Sequence, residues 1–124
     1  MRFQRNKDAH VRVATHVPAA NTAAVVTIAA EADETWHIET IAFGYVGAVI
    51  AAAQDVSITV TNCYGPAGAV TWTYPARFIS GTNPSGFIDL SNLGLPANAK
   101  NLAMVITLPA GGANVIGTLS VTYR

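Results

Sequence analysis

The chain has 124 residues, enough for one domain with its own core. Only 11% of it is charged and 51% is apolar, whereas an ordinary globular domain is about 25% charged. The formal net charge of zero removes the cationic footprint of a nucleic-acid binder, and no run is apolar and long enough to cross a bilayer as a helix. So few charges leave little polar material to cover a small globule, which predicts apolar surface that meets other protein chains.

The N-terminus holds most of the positive charge. Arg2, Arg5, Lys7 and Arg12 face only Asp8 within the first twelve residues. No apolar h-region follows them, so the stretch does not read as a secretory signal. Residues 1–12 are expected to form a basic arm, with residues 13–124 as a single β-sandwich domain. Residues 11–15 alternate apolar and polar and predict a first short strand. Residues 22–30 (TAAVVTIAA) predict a second. Glu31, Asp33, Glu34 and Glu39 then crowd into nine residues. This acidic patch could receive the arm of a neighbouring subunit in a head-to-tail contact.

From Trp36 the pattern is again period two. Trp36 and Ile38 share a face opposite His37 and Glu39, and the parity then changes to Ile41, Phe43 and Tyr45. A parity switch within one extended run predicts a β-bulge at residues 39–41 and a buried Trp36. The alanines of residues 46–54 permit a helical turn. Strands follow at 56–61, 70–74, 87–90, 102–108 and 115–123, the last with Val115, Gly117, Leu119, Val121 and Tyr123 on one face. Turn chemistry separates them at 64–68, 81–86 and 93–98. The Gly111–Gly112 pair within residues 109–114 predicts a hairpin between the last two strands. About eight strands in this length predict an all-β, two-sheet β-sandwich of jelly-roll type. An immunoglobulin-like sandwich is the alternative, although its Cys…Trp…Cys signature is absent.

Two segments resemble small virion proteins of tailed bacteriophages, of the capsid decoration or cement type. One is the aromatic strand 34–45 (ETWHIETIAFGY). The other is the C-terminal stretch 104–124 (MVITLPAGGANVIGTLSVTYR), and the start of the second strand at 18–24 (PAANTAA) fits the same group. The resemblance implies a β-sandwich subunit, commonly a homotrimer, bound to the outer surface of a shell of major capsid protein. It would be made in the host cytoplasm and end on the virion. Arg2, Phe3, Arg5, Lys7 and Arg12 are the candidate partner-binding residues. A tail, neck or fibre-associated protein of the same virion is a further reading.

Chemistry-bearing residues are sparse. His10, His16 and His37 lack the spacing of a zinc site, and Cys63 has no cysteine partner. The acidic residues cluster locally, whereas a hydrolase cleft gathers carboxylates from separated segments. There is no Gly-x-Ser-x-Gly elbow and no phosphate-binding glycine loop. The expectation is no enzyme, no cofactor and no metal. Trp72 and Tyr74 alternate on one strand near Tyr64, so a carbohydrate-binding module that stacks sugars on these rings is the rival from another class.

Overall fold

Alternation of apolar and hydroxyl side chains decides the secondary structure, because each strand must bury one face and expose the other. The computed structural model describes residues 11–33, 35–51, 54–63, 71–91, 95–97 and 102–124, and no helix occurs among them. The strands are β1 (Arg12–His16), β2 (Ala24–Ile28), β3 (His37–Gly47), β4 (Gln54–Thr61), β5 (Thr71–Phe78), β6 (Ser85–Asp89), β7 (Leu95–Pro96), β8 (Met104–Leu108) and β9 (Val115–Tyr123). All pairings are antiparallel.

One sheet runs β1-β9-β3-β6, with the two-residue β7 added to the start of β3; the other runs β2-β8-β4-β5. Among these strands only β4 and β5 pair with a sequence neighbour. The chain otherwise passes repeatedly from one sheet to the other, and the eight main strands form the expected jelly-roll sandwich. Its core lies between the sheets. Ile38, Ile41 and Leu119 meet Ile58, Ile106 and Leu108, all fully buried.

Two local expectations need correction. Residues 109–114 do turn the chain, with Gly112 and Asn114 at φ of 114° and 60°. They do not make a hairpin, because β8 and β9 belong to different sheets. Each edge is already taken: β8 lies between β2 and β4, and β9 between β1 and β3. The possible helical turn after residue 46 is also not formed in the described part of the segment. There β3 continues to Gly47, and Ile50 is tied across to the 81–82 turn. Ile50 N donates to Thr82 O at 3.0 Å, and Gly81 N donates to Ile50 O at 2.7 Å. Ile50 is buried, so tertiary packing overrides the helix propensity of the alanines.

The bulge is where parity placed it, with the β3–β9 register shifting between Ile38 and Thr40. Trp36 is buried, as the alternation predicts, at 5% exposure. Strand β7 had no sequence signal, since Pro96 breaks the pattern. Its hold on β3 is short, and Ala97 N donates to Trp36 O at 2.8 Å just beyond it.

Two packing details give predictions. Gly86 stands opposite Phe43, and a Cβ built there would lie 2.5 Å from the Phe43 ring. The aromatic ring covers the bare glycine on the inner face. Gly86→Ala should therefore cost about 1–3 kcal/mol through overpacking, measured as a shift of the urea midpoint with unchanged slope. Tyr45, 2% exposed, donates its hydroxyl to Pro109 O at 2.6 Å. Burial pushes its phenol up to about 12. The folded chain thus holds this proton more tightly than the unfolded chain, whose tyrosines ionise near pH 10. The associated stability is complete below pH 10 and is lost as pH rises toward 12. Absorbance at 295 nm should show a late ionisation step near pH 12 that Tyr45→Phe abolishes.

Candidate binding surfaces

The expected partner-binding residues divide at the start of β1. Arg2, Phe3, Arg5 and Lys7 lie outside the described residues, as do His10 and Tyr64. Arg12 is described, and its guanidinium is engaged within its own chain. Nη1 donates to the Glu31 carboxylate at 3.3 Å, and the guanidinium carbon sits 4.9 Å from the Trp36 ring centroid. Both members of the ion pair are about half exposed, so solvent screening limits it to about 1 kcal/mol or less. The second carboxylate offered to a neighbour, Glu39, is also paired internally, accepting from Arg124 Nε at 2.8 Å. Glu31 and Glu39 are thus each bonded to a guanidinium of their own chain, and Glu34 lies outside the described residues.

The isolated titratable groups have structural employment. His16 Nδ1 accepts the backbone N–H of Val25 at 2.9 Å, joining the β1 end of one sheet to β2 of the other. His37 Nδ1 lies 3.2 Å from Thr35 O. Cys63 is buried, its thiol donates to Val60 O at 3.3 Å, and burial raises its pKa, so it is a poor nucleophile. No group of three or more metal-ligating side chains exists among the described residues.

The aromatic pair on β5 is real. The Trp72 and Tyr74 rings stack with centroids 6.1 Å apart and an interplanar angle of 29°. Register decides which way they point. Val60 pairs with Trp72 and Ile58 with Tyr74, so the two rings share the side of buried core residues. Trp72 packs against the core and is half-buried; Tyr74 is 38% exposed. The outward side of this strand pair carries Thr59 opposite Thr73 and the exposed Asp55–Arg77 pair.

The outer face of the β1-β9-β3-β6 sheet is nearly uncharged. Pairing sets out its rows: Val13, Thr122, Thr40 and Asp89; then Thr15, Ser120, Ala42 and Phe87; then Thr118, Gly44 and Ser85; then Ile116 and Val46. Asp89 is the one charge at these positions. Its carboxylate accepts Ser91 N at 2.9 Å, and the Ser91 hydrogen bonds lower its pKa. Five of the six hydroxyls are bonded to their neighbours. Thr15 Oγ1 lies 2.8 Å from Ser120 Oγ, the Thr40 and Thr122 hydroxyls bond to each other, and Thr118 donates to Gly44 O at 3.3 Å. What the face offers outward is therefore largely methyl groups and the exposed Val13, Val46 and Phe87. Composition pointed to apolar contact surface, but only the register shows which residues share this face.

No protein-family model matches the chain, and no curated protein matches it. Among solved structures, a family 11 carbohydrate-binding module from Clostridium thermocellum, in complex with a β-1,3-1,4-mixed-linked tetrasaccharide, is similar over 90% of this chain and 83% of that one. The identity is 11% and the TM-score 0.38, too low for that module's ligand to bear on this chain.

Proposed function

We propose that this chain is a non-catalytic structural protein of a tailed-phage virion, a decoration or cement subunit that attaches to the outside of the capsid shell. One observation carries the reading. The outer face of the β1-β9-β3-β6 sheet is almost uncharged, and five of its six Thr and Ser hydroxyls are bonded to a neighbouring hydroxyl or carbonyl. Such a face can be covered by protein without stranding buried polar groups. Assembly of this kind needs shape and apolar burial, and no reacting group. The jelly-roll sandwich suits it, since both sheets present broad outer faces while the core stays self-contained. The partner is the major capsid protein, and the basic arm supplies a second contact whose charge seeks an acidic surface.

The test is co-sedimentation of the purified chain with expanded phage capsids stripped of their outer proteins. Saturable binding is expected at low salt. Deleting residues 1–8 should leave the thermal transition of the domain unchanged, because β1 begins only at Arg12. The deletion should weaken capsid binding several-fold, and raised salt should reproduce part of that loss in the full chain. Absence of binding to stripped capsids at any salt would refute the capsid post.

A second reading, glycan binding, has the stacked Trp72–Tyr74 pair in its favour. A stacked sugar would shift tryptophan fluorescence on titration with oligosaccharides, and Tyr74→Ala would remove the response. Unchanged fluorescence across a panel of glucans and mannans would dispose of it.

A further inference from the structure

Nine large apolar side chains are exposed among the described residues, and three of them share one face. Val13, Val46 and Phe87 lie on the outer face of the β1-β9-β3-β6 sheet, and Val11 and Val17 flank β1 at its two ends. Phe87 and Val13 are about two-thirds exposed, at 65% and 66%. An isolated exposed valine needs no explanation, but three large apolar side chains spread over one nearly uncharged face mark an interaction surface.

We infer that this face is the self-association surface of the protein, and that its occupant is the same face of a second copy. The inference rests on the reading of the chain as an assembly subunit, gives this face to a second copy, and leaves the shell to the outer face of the other sheet and the basic arm. Three features favour a second copy. The first is charge. The face carries only Asp89, at one corner, and that carboxylate is already bonded to Ser91. Two copies can meet without like-charge conflict, and no field of one sign selects a charged partner. The second is relief. Phe87 projects beside Ala42, and Gly44 follows in the next row. The face thus sets one large projecting ring beside small residues, a relief that an isologous contact can use. The third is area. The four strands have 5, 9, 11 and 5 residues. At about 3.4 Å per residue and about 4.8 Å between strands they cover roughly 500 Å² per copy. Two copies then bury roughly 1,000 Å², at the threshold of a specific interface. Small residues across the centre let two such sheets approach at the ordinary face-to-face spacing of about 10 Å.

An isologous contact closes at two. The expected product is a dimer, not the trimer that the virion resemblance implies.

The experiment is light scattering of the full chain at micromolar concentration, beside Phe87→Asp, Phe87→Ser and Val25→Asp. Val25 is exposed on the outer face of the other sheet and serves as the control. The wild type and Val25→Asp should run at twice 12.9 kDa, and Phe87→Asp should return to the monomer mass. Phe87→Ser, which adds no charge, should weaken the dimer at least tenfold. Phe87 is exposed, so circular dichroism spectra and melting of its variants should match the wild type. A dimer that survives Phe87→Asp, or a trimer, would overturn this face as the contact while leaving the assembly reading intact. A monomeric wild type that still binds capsids would overturn self-association alone; Phe87→Asp would then report whether the face docks on the shell. A monomer that binds no capsid would overturn both.

Discussion

Trp36→Ala should cost about 3–5 kcal/mol of folding stability, the range for removing a large aromatic from a core. The indole does more than fill volume. Its Nε1 donates to Ala29 O at 3.0 Å in the β2–β3 connection. Its ring meets Tyr123 of β9 edge to face, with centroids 5.3 Å apart at 85°. Arg12, at the start of β1, lies over the same ring. One side chain therefore closes the end of the sandwich and fixes three segments there. Urea denaturation followed by circular dichroism would measure the loss. Arg12→Ala is the comparison: its cation–π contact and half-exposed ion pair should together account for no more than about 1–2 kcal/mol. If Trp36→Ala costs no more than Arg12→Ala, the ring is not sealing the core. Native Trp36 should also contribute blue-shifted emission that iodide quenches poorly.

Strand faces were legible in the sequence because burial imposes period two. Val115, Gly117, Leu119 and Val121 are buried in alternation on β9, and Ile41, Phe43 and Tyr45 on β3. What alternation cannot encode is the partner of each strand. The glycines of residues 109–114 are compatible with a hairpin and with a corner between sheets. Only competition for strand edges selects the corner. The same limit hides the facing of Trp72 and Tyr74, whose shared parity is visible but whose side of the sheet follows from Ile58 and Val60 across the ladder. The candidate contact face was hidden for a further reason. Thr, Ser, Ala and Gly read individually as solvent-facing filler. They become a continuous, internally hydrogen-bonded surface only when β1, β9, β3 and β6 lie side by side. The intrachain pairs of Arg12 with Glu31 and of Arg124 with Glu39 had no signal in the charge pattern, because sequence separation says nothing about which carboxylate a guanidinium will meet.

Glu39 was expected on the outer side of its strand with His37, and the bulge reverses this. The register shift between Ile38 and Thr40 turns two successive residues inward, so Ile38 and Glu39 are both buried. A carboxylate at 9% exposure requires a partner, and Arg124 supplies one through its Nε at 2.8 Å. The backbone holds the pair in place. His37 N donates to Arg124 O at 2.7 Å, Arg124 N donates to His37 O at 2.9 Å, and Leu90 N donates to Glu39 O at 2.7 Å. Glu39→Ala leaves the guanidinium without this carboxylate in a mostly dry setting. Breaking a fully buried pair costs about 3–5 kcal/mol and a surface pair less than about 1. The Arg124 side chain keeps 23% exposure, which lets water compensate in part and sets the expected loss at about 2–3 kcal/mol by that comparison. Glu39→Gln retains the volume and an acceptor oxygen and should lose about 1 kcal/mol. The double variant Glu39→Ala with Arg124→Ala separates pairing from packing: a coupling of about 1–2 kcal/mol is expected for side chains in contact. Additive losses would mean that the bulge is held by its backbone bonds alone and that the ion pair merely occupies it.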